Sequence, residues 1–381
     1  MKIAILTQPL HTNYGGILQA YALQTFLQRR GHKVVVINRE YYWDGGNKLT
    51  IQNLFLRIGS FIKSLIRIYV LRYDGYVLKN PFSPYYHAER STIDPLPFVK
   101  KQICQSPEIR TTEQLEKYFK KHKFDAYIVG SDQVWRPCYS PCITDFFLNA
   151  VPLNSKSIKI SYAASFGTDV WEFSDEETEI CSSLAQKFDA ISVREQSGVQ
   201  LCKKYLGVDA VHLLDPTMLL TVDDYLHLIE DTKVYQSDGS MFCYILDENP
   251  EIEHIISSLE QENFTSYRAV LNQSKYNISV EQWLKSFYDA ELVITDSFHA
   301  CVFSLLFKKP FIVWANRERG FARLKSLLEI FGMQNRLIFS IADFIDRKHT
   351  LLNNKDFENL ELIFQERVKD SYDFFRSVGV I

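Results

Sequence analysis

Residues 291–314 read ELVITDSFHACVFSLLFKKPFIVW, and this stretch decides the fold because it predicts a strand, a helix and a strand in immediate succession. LVI at 292–294 is a short apolar run, typical of strands that are buried on both faces of a parallel sheet. TDS at 295–297 favours a turn and a helix N-cap, since these side chains bond to free backbone N–H groups. PFIVW at 310–314 predicts the next strand, which makes the stretch one βαβ unit.

His299 falls in the first turn of the predicted helix, just after the carboxyl end of the preceding strand. Ligands of open parallel sheets bind in the crevice outside those strand ends, so His299 is a candidate site residue. A helix N-terminus disfavours a second positive charge, which favours the neutral, proton-accepting imidazole. The alternative is a core histidine whose ring is satisfied by a backbone carbonyl.

The same alternation of strand and helix extends through most of the chain. Apolar runs rich in Val and Ile predict the strands of a first sheet at 2–7, 33–38, 125–130, 158–165, 190–195 and 210–215. A second series of strands is predicted at 241–247, 266–271, 291–295, 310–314 and 336–340. Helical spacing between the strands predicts βαβ units, and therefore an α/β fold with two Rossmann-like domains that face each other across a cleft.

The domain boundaries follow from this pattern. We predict an N-terminal Rossmann-like domain at 1–231, a C-terminal one at 240–346 and a C-terminal helix within 347–381, which caps the second domain or returns to the first. The polar stretch 231–239 is the predicted linker. An insert at 51–97 interrupts the first domain and begins with a basic amphipathic helix that carries Arg57, Lys63 and Arg67. Its basic face is either solvated or approaches anionic lipid or a lipid-linked substrate.

Composition excludes several classes of function. A formal net charge of −3, with 46% hydrophobic and 23% charged residues, describes a globular protein without the basic field that would hold nucleic acid. The N-terminus, MKIAILTQPLHTNYGG, lacks the features of a signal peptide, so we expect a cytoplasmic protein. The 7 cysteines complete no zinc-ligand pattern, and the spacing G-x-G-x-x-G of a dinucleotide site is absent. The sequence therefore predicts neither a metal nor a cofactor.

Arginines follow two of the predicted strands. WANRERGFAR at 314–323 places Arg317, Arg319 and Arg323 beside a strand end, and SVREQSG at 192–198 adds Arg194 from the other domain. The planar guanidinium group binds phosphate and carboxylate through paired hydrogen bonds. These arginines therefore predict a local site for an anion that carries both groups.

A second group of polar residues follows the first and third strands. NYGG at 13–16 offers glycines that let a ligand approach the backbone, and VGSDQVWRP at 129–137 offers hydrogen-bonding groups beside a flat aromatic ring. That combination suits a sugar ring, although an N-cap and a loop-packing tryptophan would explain the second motif equally simply. The candidate sugar-binding residues are Asn13, Gly15, Gly16, Asp132, Gln133 and Trp135.

Seven motifs, taken in order, resemble the polysaccharide pyruvyl transferases. They are NYGGILQAYALQ, VGSDQVWRP, SYAASFG, SVREQSG, LDPTMLL, TDSFHACVFSLLFKKPFI and GFARLKSLLEIFGM. The resemblance implies a fold similar to that of the two-domain, B-type glycosyltransferases. It also implies a reaction in which phosphoenolpyruvate gives its enolpyruvyl group to two hydroxyls of a sugar, in a surface polysaccharide or its lipid-linked precursor. A pyruvate ketal forms and phosphate is released. The insert at 51–97 matches no family motif.

The resemblance and the residue chemistry together assign roles. His299 is the catalytic acid/base, and Asp296 orients it. The residues expected to bind phosphoenolpyruvate are Arg317, Arg319, Arg323, Arg194 and Ser297. The six candidate sugar-binding residues are expected to bind the acceptor, with Trp135 stacking on its ring. The partners implied are phosphoenolpyruvate and a sugar acceptor, with peripheral contact at the inner face of the membrane if that acceptor is lipid-linked. No step needs a metal or a redox cofactor.

Two other functions fit the same architecture. A glycosyltransferase would use a nucleotide-sugar and would need an acidic residue for the ribose, for which Glu318 is the candidate. A non-catalytic glycan-binding protein would bind the acceptor without turnover.

Overall fold

The structure is a computed structural model that describes residues 1–10, 13–40, 58, 62, 96–152, 154–230, 239–247, 249–269, 278–316 and 320–381. Within these residues, the first sheet has the strand order β2-β1-β3-β4-β5-β6 and the second the order β11-β10-β9-β7-β8. The strands of the first sheet are β1 (Lys2–Leu6), β2 (Lys33–Ile37), β3 (Ala126–Val129), β4 (Ile158–Ala164), β5 (Ala190–Val193) and β6 (Val211–His212). Those of the second are β7 (Met241–Tyr244), β8 (Ser266–Arg268), β9 (Leu292–Thr295), β10 (Phe311–Trp314) and β11 (Leu337–Ile338).

Helices cover both faces of each sheet. Those around the first are α1 (Tyr14–Gln28), α2 (Leu96–Gln102), α3 (Thr112–His122), α4 (Asp175–Ala185), α5 (Gln196–Leu201) and α6 (Val222–Glu230). Those around the second are α7 (Pro250–Glu260), α8 (Val280–Asp289), α9 (Phe298–Leu306), α10 (Phe321–Ile330) and α11 (Ile341–Leu351), and α12 (Leu360–Ser377) ends the chain. Short 3₁₀ turns lie at Pro137–Tyr139, Ile143–Phe147, Pro216–Leu219, Gln334–Arg336 and Lys355–Phe357. Cys202–Leu206 forms a π-helical turn. No helix in the described ranges is long and apolar enough to cross a bilayer.

The predicted α/β architecture is confirmed. Each strand predicted from an apolar run occurs, usually one to a few residues shorter, and the described strands all pair in parallel. The runs are apolar because helices bury both faces of a parallel sheet. One cluster of buried residues extends through helices and strands of both domains, so the two units share a continuous core.

The strand order determines where a ligand can bind. The chain reverses its direction of winding between β1 and β3 in the first sheet, and between β7 and β9 in the second. In doubly wound sheets the loops diverge at such a switch point and leave a crevice at the carboxyl ends of the strands. The residues that follow β1, β3 and β9 are therefore placed at crevices, and these include the candidates Asn13, Asp132 and His299.

The C-terminal helix settles one alternative left open by the sequence. Phe375 on α12 stacks on Tyr162 of β4, with ring centroids 4.7 Å apart and planes 18° apart, and also contacts Phe26. At the start of the helix, Phe364 packs on Phe331 of the second domain with centroids 4.7 Å apart. The helix therefore returns to the first domain while its first turns remain against the second.

Some sequence-based predictions fall outside the described residues. They include the basic face of Arg57, Lys63 and Arg67 and most of the insert at 51–97. Nearly all of the predicted linker at 231–239 does so as well.

We expect Phe375→Ala to lower the free energy of unfolding by about 3–5 kcal/mol, the usual cost of emptying a buried phenylalanine site. The ring is fully buried in the core shared by both domains. Leu362→Ala on the same helix is the matched control, since Leu362 is 65% exposed. The control should change stability by no more than about 0.5 kcal/mol. Urea unfolding measures both, and equal effects would show that the docking of α12 contributes little to stability.

Candidate active site

The N-terminus of α1 touches the second domain at His299. A Cβ atom added to Gly15 would lie 2.0 Å from Cγ and Nδ1 of the His299 imidazole, so no larger residue fits there without displacing the ring. Tyr14, one residue earlier, donates a hydrogen bond from its hydroxyl to the carbonyl of Ile278 (2.6 Å) and stacks on Trp283 of α8. The first turn of α1 is thus one wall of a closely packed junction between the domains.

His299 is buried and faces an ion pair of the first domain, formed by a guanidinium group and a carboxylate. Its Nε2 lies 3.4 Å from Nη1 of Arg194 and 3.6 Å from Oδ2 of Asp215. A neutral imidazole can accept the guanidinium N–H at Nε2, whereas a protonated one can direct its N–H toward the carboxylate. Both protonation states have a partner in the same place, which is the arrangement that a proton-transfer residue needs.

Asp215 is the anchor of this arrangement. Its Oδ2 accepts hydrogen bonds from Arg194 Nη1 (2.6 Å) and Ser131 Oγ (2.9 Å), and its Oδ1 accepts from the backbone N–H and the hydroxyl of Thr217. Burial by itself would raise the pKa of the Asp215 carboxyl. The hydrogen bond and charge of His299, together with the Arg194 guanidinium, outweigh burial and hold this pKa well below its usual range. Asp215 is therefore an anion in the folded protein.

Two guanidinium groups converge on the ring of Phe298. The guanidinium carbon of Arg194 lies 4.3 Å from the ring centroid, and that of Arg323, at the start of α10, lies 5.8 Å from it. Gly320 makes room for Arg323, because a Cβ there would lie 2.0 Å from Nη2 of the guanidinium. Burial, followed by the charge of Arg194, lowers the pKa of Arg323 to about 10, which leaves it charged at neutral pH.

These cations have unused hydrogen-bond donors. Nε and Nη2 of Arg194 and Nε of Arg323 are buried and have no hydrogen-bond partner in the described part of the chain. Buried polar groups are normally paired, and each exception calls for an explanation. Two like charges held together away from water, with free donors, form a site that an anion would complete.

Asp132 forms the opposite side of the Arg194 guanidinium. Its Oδ1 lies 3.6 Å from Nη2 of Arg194, and its Oδ2 accepts a hydrogen bond from Nδ2 of Asn13 at 3.1 Å. A Cβ at Gly16 would lie 2.9 Å from the same Oδ2. Asn13, Gly15, Gly16, Asp132 and His299 are thereby brought together around the first turn of α1.

The contacts of Asp296 differ from those expected for its predicted role. Its carboxylate accepts hydrogen bonds from the backbone N–H groups of Leu246 (2.8 Å) and Asp247 (3.1 Å), in the loop after β7. β7 is the neighbour of β9, and its loop presents free N–H groups directly beside the position where β9 ends. The carboxylate that faces His299 comes instead from Asp215 of the first domain, which corrects the orienting role predicted for Asp296.

Trp135 is also placed differently. The indole is fully buried, stacks on Phe147 with planes 12° apart, and donates its N–H to the carbonyl of Phe146 at 2.9 Å. Phe166 contacts the same ring. No face of the indole is open to a ligand, so the predicted stacking on a sugar is wrong, and the alternative of a packing tryptophan is correct.

The remaining candidates are placed as follows. Gln133 is half-buried beside Asp132, and its side-chain carbonyl accepts a hydrogen bond from Arg136 at 3.3 Å. Ser297 lies at the N-cap of α9, where its backbone N–H donates to the Thr295 hydroxyl. Arg317 and Arg319, with Glu318 between them, lie outside the described residues.

Sequence reasoning missed Asp215 as a site residue, although LDPTMLL was among the motifs. The available signal was its position, since Asp215 follows an apolar run as Asp132 and Asp296 do. Glu195 was missed in the same way. Its buried Oε1 accepts hydrogen bonds from the Ser165 hydroxyl and the Phe166 N–H, which shapes the loop after β4.

No group of three or more His, Cys, Asp or Glu side chains within the described ranges is arranged to hold a metal ion. The expectation that no cofactor takes part stays a prediction.

Comparison with solved structures identifies the class of fold. A glycosyltransferase from Rickettsia africae ESF-5 is similar over 99% of this chain and 98% of its own, with a TM-score of 0.50 and 10% identity. A UDP-GlcNAc 2-epimerase from Methanocaldococcus jannaschii is similar over 98% of this chain and 100% of its own, with a TM-score of 0.50 and 13% identity. At these identities the likeness concerns the fold alone, which is the two-domain fold of the B-type glycosyltransferases.

The sequence identifies the family. The model of the polysaccharide pyruvyl transferase family matches residues 13–318, which is most of the chain. This chain therefore belongs to the polysaccharide pyruvyl transferase family. The curated proteins include no match to it.

We expect Gly15→Ala to lower the free energy of unfolding by about 1–3 kcal/mol, the usual cost of forcing an extra carbon into a packed junction. Without the imidazole, this loss of stability should disappear. In a His299→Ala background the same change should be neutral or stabilise by up to about 1 kcal/mol, because alanine is the better helix former. Urea unfolding of the two single variants and the double variant closes the cycle. An equal cost in both backgrounds would mean that His299 does not exclude a side chain at Gly15.

Proposed function

We propose that this chain transfers the enolpyruvyl group of phosphoenolpyruvate to two hydroxyls of a sugar, forming a pyruvate ketal and releasing phosphate. The observation that carries the proposal is the pair of buried guanidinium groups, Arg194 and Arg323, whose free N–H donors lie around Phe298 beside His299. The sugar belongs to a surface polysaccharide or to its lipid-linked precursor. Membership of the family supports the reaction class.

The free guanidinium donors of the site support phosphoenolpyruvate as the donor. Phosphate and carboxylate both accept paired hydrogen bonds from guanidinium, and a compact donor carrying both groups needs more than one cation. Arg194 and Arg323 supply two cations from opposite domains, and neither has its full set of hydrogen bonds. We also assign Arg317, Arg319 and Ser297 to the donor, since the two arginines follow β10 in the sequence and Ser297 is the N-cap of α9.

His299 supplies the proton transfers of the first half-reaction. The enol methylene carbon must take up a proton, after which the first sugar hydroxyl attacks C2 and gives up its own proton. One group that is alternately acid and base can perform both transfers. Nε2 of His299 has a partner in either state, because Arg194 and Asp215 both face it. Asp215 acts as a positioning residue that holds both of them.

The acceptor is assigned to the first domain, with one replacement. Asn13, Gly15, Gly16, Asp132 and Gln133 remain on that wall. Because Trp135 is buried, we assign the role of the aromatic ring that contacts the sugar to Tyr139, a short distance further along the chain.

Tyr139 has the features of an acceptor platform. It is 39% exposed, and the guanidinium carbon of Arg136 lies 4.7 Å from its ring centroid. An exposed ring with polar neighbours suits a sugar, which presents an apolar face and a rim of hydroxyls.

The remaining elements of the proposal follow from the substrates. Phosphoenolpyruvate is the only co-substrate, and no metal or redox cofactor takes part. The reaction is assigned to the cytoplasm, where phosphoenolpyruvate is produced. If the acceptor is lipid-linked, we assign the basic residues Arg57, Lys63 and Arg67 to contact with the inner face of the membrane.

The reaction products distinguish the proposed pyruvyl transfer from the rival glycosyltransferase function. Incubation with phosphoenolpyruvate and methyl hexopyranosides with free 4- and 6-hydroxyls should release inorganic phosphate and give sugars heavier by one pyruvyl ketal. Incubation with nucleotide-sugars should release no nucleotide. Nucleotide release without phosphate release would favour the glycosyltransferase, and binding of the sugar without either product would favour a glycan-binding protein.

We expect Arg323→Lys to weaken phosphoenolpyruvate binding by about tenfold to a hundredfold, because lysine cannot reproduce the guanidinium fork and one charge-assisted hydrogen bond contributes about 1.5–3 kcal/mol. Calorimetry with phosphoenolpyruvate alone measures the change. Arg29→Lys is the matched control, since that side chain is 53% exposed and pairs with Asp224 on the surface. Equal phosphoenolpyruvate affinities of the wild type and both variants would mean that the donor binds elsewhere.

We expect His299→Ala to lower phosphate release by about a hundredfold or more, the usual effect of removing a positioned proton-transfer group. The protein should stay folded, because the change removes a ring without leaving a charge unpaired. Circular dichroism checks the fold and a coupled phosphate assay checks the rate. Release at the wild-type rate by a folded variant would remove His299 from the mechanism.

A further inference from the structure

Ketal formation places a demand on the site that His299 alone does not meet. Two hydroxyls attack the same carbon, so two hydroxyl protons must leave at separate moments and from different positions. Resting on the function proposed above, we propose that Asp132 is the base that takes the proton of the second hydroxyl. The two proton-transfer groups then come from opposite domains, His299 from the second and Asp132 from the first.

The geometry around Arg194 supports this assignment of the two proton-transfer groups to opposite domains. Different nitrogens of one guanidinium face the two groups, since Nη1 lies 3.4 Å from Nε2 of His299 and Nη2 lies 3.6 Å from Oδ1 of Asp132. The donors left free on that guanidinium are Nε and Nη2. An anion bound along this free edge lies beside Asp132, with His299 around the other end of the same group.

The backbone of Asp132 is held in an unusual conformation. Its φ is +73°, in the left-handed region that costs a residue with a Cβ about 1–2 kcal/mol. The carbonyl of Asp132 accepts hydrogen bonds from the N–H groups of Val134 (2.8 Å) and Ser165 (3.1 Å), which fix the turn. Strain that the surroundings enforce is common where a side chain must be aimed at a ligand. Here it aims the carboxylate at the first turn of α1, next to Gly16.

The other buried carboxylates of the cleft are less suited to act as this base. Both oxygens of Asp215 accept two hydrogen bonds each. Oε1 of Glu195 accepts from the loop after β4, and its buried Oε2 has no partner among the described residues. Burial raises the pKa of the Glu195 carboxyl, which favours its protonated form over a base. Each oxygen of Asp132 accepts one hydrogen bond from the described residues, from Gln133 N–H at Oδ1 and from Asn13 at Oδ2. A carboxylate oxygen has two acceptor sites, so each oxygen of Asp132 has one left for a hydroxyl.

The protons and charges balance with two bases. His299 gives a proton to the methylene carbon, the first hydroxyl oxygen bonds to C2, and the proton of that hydroxyl returns to His299. The bond from C2 to the phosphate oxygen then breaks, and phosphate leaves with the bonding electrons. The second hydroxyl oxygen bonds to C2 and gives its proton to Asp132, which passes it to the departing phosphate. One hydroxyl proton therefore ends in the ketal methyl group and the other on the phosphate.

Two substitutions separate a chemical role of Asp132 from a conformational one. Asparagine tolerates the left-handed region and keeps the side-chain shape, so Asp132→Asn removes the charge with little effect on the backbone. Glycine adopts the same conformation without strain, so Asp132→Gly removes the carboxylate and relaxes the backbone. Both variants lack the carboxylate that would act as the base. Both can still adopt the turn, so a purely conformational role of Asp132 would be preserved in both.

The experiment follows each half of the reaction in D₂O. Wild type, Asp132→Asn, Asp132→Gly and His299→Ala are incubated with phosphoenolpyruvate and the methyl hexopyranosides described above. Proton NMR reports deuterium in the methylene group of recovered phosphoenolpyruvate, which marks reversal of the first half-reaction. Mass spectrometry reports ketal formation, and calorimetry reports phosphoenolpyruvate affinity.

Both Asp132 variants should bind phosphoenolpyruvate as well as the wild type or more tightly, since a negative charge beside Arg194 is removed. Both should still introduce deuterium, while ketal formation falls by about a hundredfold or more. His299→Ala should lose deuterium incorporation and ketal formation together.

Three results would overturn the inference. A ketal rate near that of the wild type in Asp132→Gly would show that no carboxylate is needed. Weakened phosphoenolpyruvate binding in both Asp132 variants, or loss of deuterium incorporation in both, would mean that Asp132 acts on the first half-reaction through Arg194. Absence of ketal from every sugar with the wild type would refute the proposed function itself, and the role of Asp132 would fall with it.

Discussion

The ion pair between Arg194 and Asp215 is the interaction on which the cleft depends. Nη1 of Arg194 and Oδ2 of Asp215 lie 2.6 Å apart, with both side chains buried. Leaving one partner of a buried pair uncompensated typically costs about 3–5 kcal/mol, so each group holds the other in place. Because the same pair faces His299 across the domain boundary, the position of the histidine follows from contacts in the domain to which it does not belong.

Close packing at the domain junction explains why small residues stand where they do. Gly15 lies against the imidazole of His299 and Gly320 lies against the guanidinium of Arg323, and at both places a Cβ would lie 2.0 Å from a ring or guanidinium atom. Helix α1 begins in one domain and abuts the second, so its first turn forms a wall common to both. The free donors of Arg194 are buried in this packed arrangement.

The site was only partly predictable from the sequence, and the difference has a physical cause. His299, Arg194, Arg323 and Asp132 were predicted as candidates because each follows a strand, and the carboxyl ends of parallel strands meet at one edge of a sheet. The same rule could not tell which way each side chain turns. Asp296 turns to the loop after β7 and Trp135 turns into the core beside Phe147, although both occupy the expected positions along the chain.

The sequence by itself determined the local structure. Runs of Val and Ile separated by amphipathic segments can be buried only as parallel strands covered by helices, so the two sheets, their order of elements and the edge that carries the site were all readable. The tertiary structure decided which residues from different domains meet. Asp215 and His299 are 84 positions apart in the chain, and their pairing arises when two separately wound sheets bury a common core. No local pattern encodes that contact, because periodicity and turn propensity describe a residue's own element, whereas the partners of a buried charge are selected by packing between elements.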